Sequence, residues 1–187
     1  MIAGTAKGHK LKTIKGMTTR PTSDRVKESI FNIIAGEIED STVLDVFAGT
    51  GSLGIEALSR GANHAVFFDK SPECCGIIKE NLAHTKLADK AEVYSTDYIA
   101  GIGRLYRDGR KFDLIILDPP YNKNFIQETL KTLTNNDIMK NDGLIVTEHS
   151  TSDSLPKSIG RLEIINTRSY GDTSLTIFIN KDGSLEK

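Results

Sequence analysis

The residues best suited to chemistry are Asp118-Pro119-Pro120-Tyr121, which directly follow the apolar run Phe112–Leu117. That run predicts a buried strand, so the four residues leave the carboxyl end of a strand. Proline fixes φ and lacks a backbone N–H, so we expect the carbonyls of Asp118 and Pro119 to be held outward as acceptors. The Asp118 carboxylate is a further acceptor, and Tyr121 offers a flat face for stacking. The segment therefore suits a planar group with an exocyclic amino group, such as a nucleobase.

A second segment, Val43–Gly54, carries the glycines of G-x-G-x-x-G between a predicted strand and a predicted helix. Gly49 and Gly51 allow a tight turn and the close approach of a ligand, and Gly54 allows the helix to pack tightly on the strand. A purely structural turn is the alternative. Asp45 precedes the glycines, where it suits a ligand with a cationic amino group or a sulfonium rather than a pyrophosphate. S-adenosylmethionine carries both cations.

Two further acids follow predicted strands. Asp69 ends the second strand, where a carboxylate can accept hydrogen bonds from the ribose hydroxyls of an adenosine. A cap before Ser71 is the alternative. Asp97, with Tyr98 beside it, follows the third strand and could accept from an adenine amino group, although an ordinary surface position in a loop is the reading that spacing alone favours.

The spacing of apolar residues predicts one α/β domain. We expect a helix from Ser23 or Asp24 to about Gly36, preceded by a short strand near His9 to Thr13. Strands then alternate with helices, which predicts a mostly parallel sheet that is covered on both faces. The predicted strands are 43–47, 65–68, 91–95, 112–117 and 143–148, and the predicted helices are 53–59, 72–83 and 125–133. Two last strands, 162–167 and 174–179, lie too close together for a helix and predict an antiparallel hairpin.

Composition bounds the remaining possibilities. With 187 residues and 38% hydrophobic residues, the chain suits a single domain spanning 1–187, with an arm and helix over 1–40 and a catalytic core over 41–187. No apolar run approaches the roughly 20 residues of a membrane span, and no secretory signal is recognisable. The adjacent Cys74 and Cys75 predict no disulfide framework, and the scattered histidines predict no metal site. We therefore expect a cytoplasmic protein, and no obligate protein partner is evident.

The amino-terminal end is strongly basic. Up to residue 27 there are seven basic residues and one acid, although the whole chain has a formal net charge of −1. Such an arm suits RNA phosphates, and binding of that kind weakens with salt. A solvated tail is the alternative, and the two arginines could instead organise the cleft. The candidate phosphate contacts are Lys7, Lys10, Lys12, Arg20, Arg25 and Lys27.

The combined motifs resemble a known family. Residues 45–51 followed by Asp118-Pro119-Pro120-Tyr121 resemble the S-adenosylmethionine-dependent methyltransferases that act on exocyclic amino groups. The runs 20–28, 31–32, 54–62 and 170–173 narrow the resemblance to the RsmD family, bacterial enzymes that methylate guanine N2 in 16S ribosomal RNA. The resemblance extends from about Gly4 to Phe178. The chain departs from the family at its start, where Gly8-His9-Lys10 stands in place of a more arginine-rich segment.

The resemblance implies a Rossmann-like fold whose seven-strand sheet has its last strand inserted antiparallel, with a short amino-terminal extension. It implies S-adenosylmethionine as cofactor, S-adenosylhomocysteine as product, no metal, and 16S ribosomal RNA or the small ribosomal subunit as partner. Asp118 to Tyr121 would hold the target base. The predicted cofactor-binding residues are Asp45, Phe47, Ala48, Gly49, Thr50, Gly51, Asp69, Lys70, Asp97 and Tyr98.

Three other functions are compatible with parts of the sequence. An adenine-N6 DNA methyltransferase shares the Asp-Pro-Pro-Tyr chemistry, but 187 residues leave no room for a separate target-recognition domain. A nicotinamide-dependent oxidoreductase is disfavoured by Asp45 and by the lack of a Tyr-x-x-x-Lys pair. A non-catalytic RNA-binding module would need to keep none of these motifs.

Overall fold

The computed structural model describes residues 1–14, 24–120 and 125–181. The helices are α1 (Asp24–Ile33), α2 (Ser52–Ser59), α3 (Pro72–His84), α4 (Tyr98–Arg107) and α5 (Phe125–Asn135). The strands are β1 (Thr42–Asp45), β2 (His64–Asp69), β3 (Ala91–Ser95), β4 (Phe112–Leu117), β5 (Met139–Ser150), β6 (Ser158–Ile159), β7 (Leu162–Tyr170) and β8 (Thr173–Asn180). Short 3₁₀ turns occupy Ala35–Glu37 and Ala88–Lys90.

The strands form one mixed sheet in the order β3-β2-β1-β4-β5-β8-β7-β6. β1 to β5 are paired in parallel, and β8 is inserted antiparallel between β5 and β7. This confirms the α/β fold, the parallel core and the closing hairpin. The expected count of seven strands falls short by one, because the two-residue β6 adds an edge strand beside β7. The strand order reverses between β1 and β4, where open α/β sheets form their ligand crevice.

Helices cover both faces of the sheet. Apolar residues of α1, α2 and α3 pack on one face, and those of α4 and α5 pack on the other. Both faces of the central strands are therefore buried, which explains why β4 is apolar nearly throughout. The chain thus has the three layers predicted from the alternation of strands and helices.

Two local predictions need correction, and one helix was not predicted. Residues 9–14 form no strand, because Lys12 N–H donates to the Asn81 side chain instead of a strand neighbour. α1 ends at Ile33, before the predicted stop at Gly36, which lies inside a 3₁₀ turn. α4 was not predicted, since its glycines hide the helical pattern. Gly101 is required there because a Cβ at that position would lie 2.5 Å from Phe68 Cε2.

The start of the arm is docked on α2. Both carboxylate oxygens of the fully buried Glu56 accept hydrogen bonds from the backbone N–H groups of Ile2 and Ala3, each at 2.9 Å. The Ser59 hydroxyl accepts from Ala6 N–H and donates to Ala3 carbonyl oxygen. Ile2, Ala3 and Ala6 are therefore anchored on α2, whereas Lys7, Lys10 and Lys12 of the same segment are exposed.

Candidate active site

The candidate acids at the carboxyl ends of β1 and β4 lie at the same end of the sheet. Asp45 pairs in register with Ile116, so Asp118 follows only two residues beyond that partner. Burial is the main cause that raises the pKa of Asp45, and the nearby charges of Asp118 and Asp69 add to it. The ends of β2, β1 and β4 therefore converge, as the sequence motifs required.

Asp45 is the most constrained of these acids. Its side chain is 1% exposed, and its Oδ2 accepts a 3.0 Å hydrogen bond from Gly54 N–H at the start of α2. Its Oδ1 is buried without a hydrogen-bond partner among the described residues. Burial, above all, raises the pKa of Asp45 to about 7, opposed by the Gly54 hydrogen bond. A buried carboxylate oxygen without a partner is costly, and a ligand with an ammonium group would satisfy it.

The glycine loop has the shape that its motif predicts. Gly49 and Gly51 adopt φ values of 55° and 81°, a conformation that side chains disfavour. Gly51 caps α2, and a Cβ on Gly54 would lie 2.3 Å from Phe67 Cε1, so Gly54 is needed for close packing. Asp69 fixes the loop, because its Oδ2 accepts from Gly49 N–H at 2.8 Å.

The predicted ribose and adenine acids have structural partners. Asp69 Oδ1 accepts from Ser71 N–H at 2.8 Å, while Ser71 itself caps α3. Asp97 caps α4, with Oδ1 accepting from the N–H groups of Ile99 and Ala100 at 3.0 Å each. These carboxylates have defined roles without a ligand, and their contacts with ribose and adenine remain predictions.

An aromatic cluster lies beside the loop. The rings of Phe47, Tyr98 and Phe125 approach one another at centroid distances of 5.5 to 6.3 Å. Burial, followed by the hydrogen bond that the Tyr98 hydroxyl donates to Glu128, raises the pKa of Tyr98. The cluster joins the segment after β1 to the first residues of α4 and α5.

The remaining candidates fall into three groups. Ala48 is buried, Thr50 is half-buried and Lys70 is exposed. Asp118 is half-buried, Pro119 is buried and Pro120 is exposed, whereas Tyr121 and Arg20 lie outside the described residues. The basic residues Lys7, Lys10, Lys12 and Arg25 are exposed, and Lys12 forms a 2.5 Å ion pair with Glu80.

Lys27 does not fit its predicted role. A phosphate contact requires an exposed amine, yet Lys27 is 5% exposed. Its Nζ donates to the Ser52 hydroxyl at 3.2 Å, at the first residue of α2. At the other side of α1, Ser29 hydrogen-bonds the Tyr170 hydroxyl at the end of β7. The helix is thus fixed between the glycine loop and the hairpin.

Sequence reasoning missed two residues of the site. Asn81 is 1% exposed, and its Nδ2 donates to the carbonyls of Thr50 and Lys12, so it joins the glycine loop to the arm. Glu148 is 7% exposed and follows Thr147, the register partner of Leu117, so it lies on the strand beside Asp118. The recurring acid at strand ends was a usable signal for Glu148. Asn81 offered none, since its partners are distant in sequence.

The described residues contain no group of three His, Cys, Asp or Glu side chains placed to hold a metal ion. Among the same residues, no helix is long and apolar enough to cross a membrane. The candidate groups at this end of the sheet are Asp45, Asp69, Asp118 and the glycine loop. Together they offer carboxylate acceptors for a cation and for an amino group beside a backbone turn that admits a ligand.

Comparison with known sequences places the chain among methyltransferase-like proteins. The family model described as Conserved hypothetical protein 95 matches residues 1–179. The Bacillus subtilis protein YlbH is 38% identical over 178 residues, which cover 95% of this chain and 97% of that protein. The Haemophilus influenzae protein named Ribosomal RNA small subunit methyltransferase D is 36% identical over 149 residues, covering 79% of this chain and 77% of that protein.

Solved structures share the fold. The Escherichia coli protein yhhF superposes with a TM-score of 0.86 at 30% identity, covering 97% of each chain. An RNA methyltransferase from Salinibacter ruber, solved in complex with S-adenosyl-L-homocysteine, superposes with a TM-score of 0.69 at 14% identity, covering 90% of this chain and 98% of that one. The first match therefore spans nearly the whole of both chains.

Proposed function

This chain belongs to the RsmD family of methyltransferases, and from that premise we propose that it transfers a methyl group from S-adenosylmethionine to the exocyclic N2 amino group of a guanine in 16S ribosomal RNA. The relatives' names support a ribosomal RNA substrate. The guanine and its N2 atom follow from the resemblance in the motifs, and the acceptors at the site fit them.

One observation carries the proposal. Among the described residues the buried Asp45 Oδ1 has no hydrogen-bond partner, and Asp118 follows two residues beyond Ile116, the register partner of Asp45 on the neighbouring strand. One acid can therefore bind the ammonium of a cofactor while its neighbour receives the amino group of a base. An oxidoreductase binding a pyrophosphate would gain nothing from a carboxylate at this position.

The chemical task of the protein is alignment. S-adenosylmethionine supplies an activated methyl group on a sulfonium. An exocyclic amine is a poor nucleophile because its lone pair is delocalised into the ring, and correct positioning of two reactants contributes roughly 7–11 kcal/mol. The Asp118 carboxylate and a carbonyl of Pro119 or Pro120 accept hydrogen bonds from the amino protons. This turns the lone pair toward the methyl group and stabilises the positive charge that develops on nitrogen.

The partner in this proposal is the small ribosomal subunit or its RNA, in the cytoplasm. Tyr121 stacks on the base once it has left its helix or loop. The exposed lysines of the docked arm, Lys7, Lys10 and Lys12, contact phosphates.

A methylation assay tests the proposal. The protein is incubated with radiolabelled S-adenosylmethionine and either undermethylated small subunits, naked 16S RNA or duplex DNA, and the product is digested to nucleosides. We expect label in N2-methylguanosine from one position of the small-subunit RNA. Label in N6-methyladenine of duplex DNA, with none in the RNA, would contradict the proposal and favour the DNA methyltransferase.

A further inference from the structure

Lys27 carries a buried amine to which the proposed reaction assigns no role. Its side chain is 7% exposed, and its contacts among the described residues are the neutral Ser52 hydroxyl at 3.2 Å and Asp24 at 3.6 Å. Asp24 is 90% exposed, so water screens that pair strongly. An ammonium carries three donors, and burying it without a closer counter-charge is costly. A bound anion beside the Lys27 amine would therefore be stabilising.

The surroundings of the Lys27 amine also favour an anion. Ser52 is the first residue of α2, and the first turn of a helix presents N–H groups without intrahelical partners and a partial positive charge. Asp45 takes the N–H of Gly54 in that turn, while its Oδ1 stays buried without a partner among the described residues. The Lys27 amine contacts Ser52 and the Asp45 carboxylate contacts Gly54, so a positive and a negative group both meet the first turn of α2.

The geometry points to Lys27 as the residue that binds the α-carboxylate of the cofactor's methionine part, opposite Asp45, which binds its α-ammonium. An amino-acid head group is a zwitterion whose two charges are separated by a single carbon. The Lys27 amine is opposite in charge to its carboxylate, and the Asp45 carboxylate is opposite in charge to its ammonium. The inference rests on the cofactor of the proposed function. It assigns Lys27 to the cofactor and removes it from the candidate RNA contacts.

Three ligands separate the two charges. S-adenosylhomocysteine carries both, its decarboxylated analogue S-adenosyl-3-thiopropylamine keeps only the ammonium, and 5′-methylthioadenosine lacks both. Equilibrium binding of each is measured by calorimetry for the wild-type protein, Lys27→Met and Asp45→Asn. Lys131→Met, which removes an exposed lysine from α5, is the matched control.

We expect Lys27→Met to weaken S-adenosylhomocysteine by roughly 10- to 100-fold, the range for a charge-assisted hydrogen bond, and to leave the other two ligands unchanged. Asp45→Asn should weaken both ligands that contain the ammonium and spare 5′-methylthioadenosine. Lys27→Arg, which keeps the charge, should restore much of the loss. Lys131→Met should bind all three ligands as the wild-type protein does.

Equal weakening of S-adenosylhomocysteine and its decarboxylated analogue by Lys27→Met would overturn the inference, as would no change in either. If that variant does not fold, the wild-type protein decides. It should bind S-adenosylhomocysteine at least about 10-fold more tightly than the decarboxylated analogue, and equal affinities would refute the assignment. These outcomes are independent of the RNA assay, so the ligand pattern can hold while the proposed RNA substrate fails, or the reverse.

Discussion

The Asp118 carboxylate is proposed to act on the amino group and not on the cofactor. Replacing Asp118 with Ala should lower kcat by roughly 10²- to 10³-fold, because an electrostatic partner of the developing charge is lost. The affinity for S-adenosylhomocysteine should stay close to that of the wild-type protein. Single-turnover methylation and calorimetry measure the two quantities separately.

Two further variants sharpen this prediction. Asp118→Asn keeps the shape and one acceptor, so its kcat should fall less than that of Asp118→Ala. Asp89→Asn removes an exposed acid from a 3₁₀ turn and should leave both quantities unchanged. Parallel losses of turnover and cofactor affinity in Asp118→Ala would show that Asp118 only holds the structure.

Asp45 gives cofactor binding a pH dependence. Its pKa is raised to about 7 in the ligand-free protein, so the carboxyl is largely protonated at pH 6. A bound ammonium favours the charged form and lowers that pKa, so binding at pH 6 should release a proton. Affinity for S-adenosylhomocysteine should rise from pH 5.5 to about 7 and then level off. Calorimetry in buffers with different ionisation enthalpies counts the protons.

The same shift affects stability with the opposite sign. The unfolded chain loses the proton of Asp45 near pH 3.8, whereas the ligand-free protein holds it to about pH 7. The free energy of unfolding should therefore fall as pH rises from about 4 to 7. Asp45→Asn should reduce that fall and abolish proton release. Proton release that persists in the variant would assign it to another group.

At the scale of elements, the contact between α2 and β2 sets the position of the glycine loop. A Cβ on Gly54 would lie 2.3 Å from Phe67 Cε1, in a fully buried ring. Gly54→Ala should destabilise the protein by roughly 1–3 kcal/mol, despite the higher helix propensity of alanine. Denaturant unfolding measures the change.

Gly76 provides the matched comparison, since it is exposed within α3 and a Cβ there meets no atom within 4 Å. Gly76→Ala should stabilise the protein by roughly 0.5–1 kcal/mol. If the two substitutions changed stability equally, close packing of α2 on β2 would not be what requires Gly54.

The sequence predicted the elements whose patterns are local. The apolar strands and the acids at their ends, Asp45, Asp69 and Asp118, were recognisable from the sequence. Both the run of apolar residues and the spacing of the motif lie within a short stretch of chain and do not depend on contacts with distant residues. α4 was missed because Gly101 and Gly103 weaken its helical signal, although Ile102 and Leu105 pack in the core.

Long-range contacts were harder to predict. Asn81 binds the carbonyls of Thr50 and Lys12, which lie 31 and 69 residues away, and no local pattern announces such bonds. The burial of Lys27 could have been predicted, since Lys27 lies three and four residues before Ile30 and Phe31, which are buried on the same face of α1. Lysine is normally assigned to the surface because it is charged, so Lys27 was placed among the exposed residues.

The whole molecule separates a basic arm from a mildly acidic body, and the arm is docked on α2 and α3 through Glu56 and Asn81. If Lys7 and Lys10 contact RNA phosphates, replacing both with alanine should weaken binding and reduce the slope of log K against log[salt] by about 0.7–0.9 per lost contact. Fluorescence anisotropy with a 16S RNA fragment at several salt concentrations measures both.

Lys131→Ala combined with Lys157→Ala removes the same charge from exposed positions outside the arm. This control should leave the salt slope unchanged. A salt-independent affinity of the wild-type protein for RNA, or equal slopes in the two double variants, would show that the arm does not contribute to RNA binding.

The proposed reaction requires one crevice in which the cofactor and the target amine meet between the ends of β1 and β4. A crystal structure of the protein with S-adenosylhomocysteine tests this most directly. We predict that the ammonium lies within hydrogen-bond distance of Asp45 Oδ1 and that the sulfur faces Asp118 and Pro119. A complex that leaves Asp45 Oδ1 without the ammonium, or turns the sulfur away from the end of β4, would contradict it.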